Sequence, residues 1–247
     1  MYNEQTVSTM QSMKLFGMAR GFQDRLGSPQ HAELSHAEFV GLLVDDEKTH
    51  RDNLRLTRLI RNAKFKQQAA LEGIDYKHSR GLTKQAIAEV SNSQWIAAHR
   101  NILITGPTGV GKTYLACAFG NLAARAGFTA LYVRAPRMFE ILQQSKGDGS
   151  HLKTIEKFGK VQLLIIDDLL LTPLSDPERR DLMEIIEDRY SAVSTVIASQ
   201  CPTKDWHQNI GDPTIADAIC DRLLHNAYKI ALKGDTIRPE EEKRKAS

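Results

Sequence analysis

Short apolar runs alternate with longer amphipathic stretches through the second half of this chain, and the alternation predicts its architecture. Asn101-Ile102-Leu103-Ile104-Thr105 is apolar and β-branched, the pattern of a buried strand. Comparable runs recur at residues 129–133, 161–166, 194–199 and 228–232. Helical periodicity fills the intervals, for instance over 177–190 and 214–226. Strands separated by helices predict an α/β fold, a parallel five-stranded sheet lying between helices.

Residues 1 to about 90 carry no such runs and read as helical. One helix is expected through residues 10–26, closing at Gly27-Ser28-Pro29. Ser35-His36-Ala37-Glu38 fits a capping box ahead of Phe39, Leu42 and Leu43. Residues 51–66 then hold six basic side chains against one acid, Asp52. At about 100° per residue, Arg51, Arg55, Arg58, Arg61 and Lys66 fall within an arc of roughly 140°. Leu56, Leu59, Ile60 and Ala63 fall on the opposite side, so one face is expected to pack while the other presents cations. Lys64 belongs to the same basic stretch. Such a face suits phosphates, which supply affinity without sequence choice; a solvated helix face is the competing reading. Residues 73–81 read as a linker. The expected domains are a small all-helical N-terminal region at 1–80, an α/β domain at 81–238 and a charged tail at 239–247.

Composition adds bounds. The 247 residues are 41% apolar and 26% charged, ordinary for a soluble chain long enough to bury a core. No apolar run approaches the ~20 residues that cross a bilayer, and residues 1–13 lack a signal pattern, so a cytoplasmic protein is expected. Cys117, Cys201 and Cys220 have no C-x-x-C spacing and read as plain thiols in a reducing compartment.

The chemistry is concentrated after the first strand. Gly106-Pro107-Thr108-Gly109-Val110-Gly111-Lys112-Thr113 fits the phosphate-binding P-loop, the stretch from Thr113 to Phe119 is helix-forming, and Tyr114 is expected to join the loop in binding the cofactor. Glycines let the backbone turn its N–H groups toward phosphate oxygens. Lys112 reaches the β- and γ-phosphates, the Thr113 hydroxyl can ligate Mg²⁺, and the helix adds its positive end. The third strand ends in Asp167-Asp168, 54 residues after Thr113. There Asp167 can hold the Mg²⁺ shell and Asp168 can orient the attacking water. Gln200 ends the fourth strand, on the same edge, where its amide could touch the γ-phosphate or the water. Arg222 has a forked donor set suited to a neighbouring subunit's phosphate; a local pair with Asp217 or Asp221 on its own helix is the alternative.

At this point the chain resembles the AAA+ ATPases, and within them the IstB-type ATPases of insertion sequences. The resemblance rests on Asn62-Ala63-Lys64-Phe65, Trp95-Ile96, the P-loop and the run Leu163 to Asp168 with Pro173-Leu174. It continues through Glu187-Asp188-Arg189-Tyr190, Ser199-Gln200, Trp206-His207, Gly211-Asp212-Pro213, Asp221-Arg222-Leu223 and Gly234-Asp235-Thr236-Ile237-Arg238. It implies an AAA+ core behind N-terminal helices, using ATP and Mg²⁺, assembled as a homo-oligomer on double-stranded DNA and partnering a transposase. It implies that Gln200 is sensor 1, Arg222 an arginine finger and Arg238 a sensor-2 arginine, with Arg134 and Arg137 as second DNA contacts. Helicase loaders of the DnaC type share this core, so a role in replication is the alternative. Two residues depart from the pattern. Asp168 stands where most AAA+ proteins have Glu, which implies slow hydrolysis, and Leu170 stands where relatives often have Gly.

Overall fold

A computed structural model describes residues 2–26, 34–76 and 81–236. Arg238, the Gly27-Ser28-Pro29 helix end and the charged tail lie outside the described residues. The chain divides into two compact units, Met1–Arg58 and Leu59–Ser247.

The first unit is helical. It contains α1 (Tyr2–Ser12), α2 (Phe16–Leu26) and most of α3 (His36–Ala63). The single helix expected over 10–26 is two, because Lys14 takes a left-handed φ of 61° between them. At the start of α3 the capping box forms: the Ser35 N–H donates to Glu38 Oε2 at 2.9 Å and the Glu38 N–H to Ser35 Oγ at 3.3 Å. The far half of α3 differs from expectation. Its apolar side was expected to pack, yet Leu56 and Leu59 are only half-buried and Ile60 is 39% exposed. Lys66 is not on the basic helical face, since α3 stops at Ala63 and Lys64 turns the chain with φ 55°.

The second unit continues with α4 (Lys84–Ala88), α5 (Gln94–Ala97), β1 (Asn101–Thr105), α6 (Lys112–Arg125), β2 (Ala130–Arg134), α7 (Ala135–Gly147) and α8 (His151–Lys160). It closes with β3 (Leu163–Asp167), α9 (Asp176–Arg189), β4 (Ser194–Ser199), α10 (Trp206–Ile210), α11 (Pro213–Leu224) and β5 (Ala227–Ala231). The five strands are all parallel, in the order β2-β3-β4-β1-β5. β3 and β4 are buried along their whole length, as a sheet covered on both faces requires.

One core layer lies between the sheet and α6, where Leu115, Phe119 and Ala123 meet Ile102, Ile104 and Ile165. Ala63, Ala69 and Ile74 join this layer, and Phe65 packs so closely on Gly120 that a Cβ there would lie 2.3 Å from its ring. The expected linker is therefore tied down at its start. The other layer joins the sheet to α7, α8, α9 and α11 through Met138, Leu142, Phe158, Leu182, Ile185 and Ile219. Trp206, fully buried, donates its indole N–H to Cys201 O at 2.9 Å. Among the described residues no helix is long and apolar enough to cross a membrane.

Candidate nucleotide-binding site

β1 delivers the P-loop to the carboxyl edge of the sheet, where strand ends converge. Gly106, Gly109 and Gly111 take φ values of 148°, 85° and 96°, which glycine adopts without strain. Gly106 also passes the Leu232 carbonyl oxygen, which a Cβ would meet at 2.4 Å. Gly111 precedes α6, so the first turn of that helix opens onto the loop. Lys112 is buried, and its Nζ donates to the Gly106 and Pro107 carbonyls at 2.7 Å each. Val110 is fully buried in the core beneath.

Three donors converge on Asp167. The Thr113 hydroxyl donates to Oδ2 at 2.8 Å, the Tyr132 phenol to the same oxygen at 2.7 Å and the Asp168 N–H to Oδ1 at 3.0 Å. Burial first, and then the Asp167 carboxylate, push the Tyr132 phenol well above its ordinary pKa, so it stays a donor. A hydroxyl oxygen and a carboxylate oxygen side by side are hard ligands suited to Mg²⁺, which keeps several waters of its own. The donor set fits that ion.

Asp168 and Leu170 both have φ of 57°. The left-handed turn at 170 explains why glycine suits that position, and leucine holds it with its side chain buried in the core. The Asp168 carboxylate accepts from Arg134 Nε at 2.9 Å, and this bond raises the pKa of the guanidinium. Thr108 Oγ1 donates to Gln200 Oε1 at 2.7 Å, joining the P-loop to the end of β4. The Tyr114 side chain turns away from the loop, its phenol donating to Ala70 O at 3.1 Å.

Thus the carboxyl edge brings together residues 106–113, Asp167, Asp168, Gln200 and Arg134. Arg222 is elsewhere. Asn101 Nδ2, at the amino end of β1, donates to Arg222 O at 3.4 Å, so this arginine sits on the opposite edge of the sheet. Its Nη2 pairs with Glu187 Oε2 at 2.5 Å rather than with Asp217 or Asp221.

Arg51, Arg55, Arg58, Arg61, Lys64, Lys66 and Arg137 are all exposed; Arg51 pairs with Glu47 at 2.7 Å and Arg137 with Glu140 at 2.8 Å. Tyr132, Glu187 and Tyr190 were not singled out as site residues. Tyr132 alone left a signal: a phenol inside an otherwise aliphatic strand needs a partner.

The family model described as IstB-like ATP binding protein matches residues 8–246. An insertion sequence ATP-binding protein of Sinorhizobium fredii is 45% identical over 233 residues, covering 94% of this chain and 95% of the relative. In structure the chain is similar to DnaI, with a TM-score of 0.57 and 23% identity over 71% of this chain and 93% of that one. It is also similar to the replication initiator DnaA bound to AMPPCP and single-stranded DNA, with a TM-score of 0.57 and 18% identity over 70% of this chain and 52% of that one. These likenesses identify the fold as that of AAA+ P-loop proteins. With a P-loop, paired acids and an almost full-length family match, the chain belongs to the IstB-like ATP-binding proteins of insertion sequences.

Proposed function

We propose that this protein is an ATP-driven assembly switch. It forms a homo-oligomer, a ring or spiral, on double-stranded DNA and there recruits or activates the transposase of the same insertion sequence. The observation that carries the reading is that Arg222 and the P-loop stand at opposite edges of one sheet. β1 separates them by about 13 Å, four residue steps of an extended chain. An arginine so placed acts on a neighbour's nucleotide, not its own, and the γ-phosphate then becomes part of the subunit interface.

Within one protomer the P-loop amides and Lys112 bind the phosphates. Thr113 and Asp167 would hold Mg²⁺, which would supply charge neutralisation to the phosphates. Asp168 orients the attacking water and draws its proton, and Gln200 positions the γ-phosphate or that water. Asp is one methylene shorter than Glu, which makes hydrolysis slow. Loss of the γ-phosphate removes what Arg222 of the neighbour holds, and the assembly loosens. Arg55, Arg58 and Arg61 supply sequence-independent DNA affinity, with the N-terminal unit serving DNA or partner and the α/β unit the nucleotide.

Mixing variants tests the shared site. Lys112→Ala and Arg222→Ala should each lack ATP hydrolysis alone, yet regain part of it when mixed on duplex DNA, because mixed interfaces pair an intact P-loop with an intact arginine. No recovery, or full activity of Arg222→Ala alone, refutes the shared site. Capture of a hexameric replicative helicase in place of the transposase would move the partner reading to a helicase loader.

A further inference from the structure

Arg222 is held inside its own chain. Its Nη2 lies 2.5 Å from Glu187 Oε2 and its Nη1 donates to Ala218 O at 3.0 Å. The guanidinium carbon stands 5.7 Å from the centre of the Tyr190 ring. Glu187 belongs to α9 and Tyr190 follows it, so the grip comes from a different helix than the one that carries Arg222. Asp217 and Asp221, its helical neighbours, are passed over. Arg222 and Tyr190 line a cleft of about 270 Å³ at the amino edge, with His99 and Asn101. The Glu187 side chain is 52% exposed and that of Arg222 23%, so an incoming group can reach the pair from solvent.

A carboxylate and a phosphate compete for the same donor fork, because both present oxyanions that guanidinium N–H groups can meet in parallel. We infer that Glu187, with Tyr190, is a positioning pair: it parks Arg222 in the free protomer and yields it to the nucleotide of a neighbouring subunit. The inference rests on the reading of Arg222 as acting in trans. Glu187 then sets the protein concentration at which subunits engage. A triphosphate carries more charge than one carboxylate, so the exchange runs toward the interface once a loaded neighbour arrives. The pair is partly exposed, so its removal shifts the threshold only a few-fold.

The test is ATP hydrolysis against protein concentration, on saturating duplex DNA, for wild type, Glu187→Gln, Glu187→Asp and Arg222→Ala. Glu187→Gln is expected to lower the half-maximal concentration by about 2- to 5-fold, with the plateau rate and melting temperature unchanged. Glu187→Asp keeps the charge and should restore the wild-type threshold. A Glu187→Gln curve that superimposes on wild type or moves to higher concentration, while Arg222→Ala loses the plateau, overturns the parking role and leaves the shared site standing. A full plateau for Arg222→Ala overturns the shared site and the parking role together.

Discussion

Arg134 Nε donates to Asp168 Oδ2 at 2.9 Å, across the gap between the ends of two adjacent strands. The acid proposed to orient water is thereby held by a cation that is itself 47% exposed. Such an arginine has two possible oxyanions, the carboxylate inside the protein and a phosphate outside it. Arg134→Ala should therefore free Asp168 and raise DNA-independent ATP hydrolysis by about 2- to 5-fold, the range that a partly exposed pair can shift. Arg134→Lys should keep the restraint in part. Phosphate release without DNA measures both, and an equal or lower rate in Arg134→Ala means that Arg134 supports Asp168 instead of restraining it.

Tyr132 ties the Asp167 carboxylate to β2. Removing its hydroxyl in Tyr132→Phe preserves the ring packing and takes one charge-assisted donor from Asp167. The expected loss of stability is about 1.5–3 kcal/mol, read from urea unfolding near pH 7. The phenol's folded pKa is raised, so its contribution is complete below about pH 10 and is lost only as the pH rises beyond that toward the folded value. An unfolding midpoint equal to wild type would show that Thr113 and the Asp168 amide suffice for Asp167.

The strands and the P-loop were legible because their signals are local. A parallel strand buried on both faces leaves an unbroken apolar run, and β1 and β4 fall where those runs stand. The pairing of Arg134 with Asp168 was not legible, since it depends on the β2–β3 register, which sets Arg134 beside Asp167. Asp217 and Asp221 share the helix of Arg222 but stand five and one residues from it, off the three- or four-residue spacing that pairs side chains, and nothing local in the sequence points to Glu187 on another helix. The break at Lys14 carries neither glycine nor proline to announce it. On α3 the periodicity predicts an apolar side, but periodicity alone does not tell whether anything covers it, and it does not foresee that the helix ends at Ala63, short of Lys66.

Gly109 offers a stringent test of the loop. Its φ is 85°, and a Cβ would stand 2.2 Å from Thr236 Oγ1. Gly109→Ala adds strain of about 1–3 kcal/mol, so nucleotide affinity should fall by about tenfold or more, measured by titration with a fluorescent ATP analogue. Thr236→Gly in the same chain should relieve the contact but not the φ strain, giving partial recovery. Gly147→Ala, with nothing within 4 Å of its Cβ, is the control and should bind as wild type. Wild-type affinity in Gly109→Ala would mean that the loop tolerates another path.

The basic face of α3 separates by partner. Arg51 is engaged with Glu47, and the exposed Arg55, Arg58 and Arg61 are the arginines proposed to contact DNA. Their triple replacement by alanine should weaken binding to every duplex alike. It should also flatten the log–log salt dependence by about 2.7, at about 0.9 per phosphate contact. Arg51→Ala should leave that slope nearly unchanged. Filter binding across a salt series reads both, and an unaltered slope in the triple variant removes this face from the DNA interface.

Glu47 makes the stability of the N-terminal unit depend on acid. Its carboxylate accepts from the Gly17 and Met18 N–H groups, at 2.7 and 3.2 Å, capping the start of α2, and from Arg51 Nε at 2.7 Å. Burial alone would raise its pKa, but Arg51 and the two amides outweigh that and hold it below the ordinary value. A depressed carboxylate contributes fully above about pH 5.5 and loses its contribution as the pH falls below about 4.3, toward the folded value. Glu47→Gln should therefore cost about 1–3 kcal/mol near pH 7. The gap should close only as the pH falls through the folded value, which lies below the ordinary value of about 4.3, where the wild-type side chain becomes protonated and resembles the amide. Unfolding curves for the two proteins at a series of pH values measure the gap. A difference that stays constant with pH would assign the loss to packing, not to the charge.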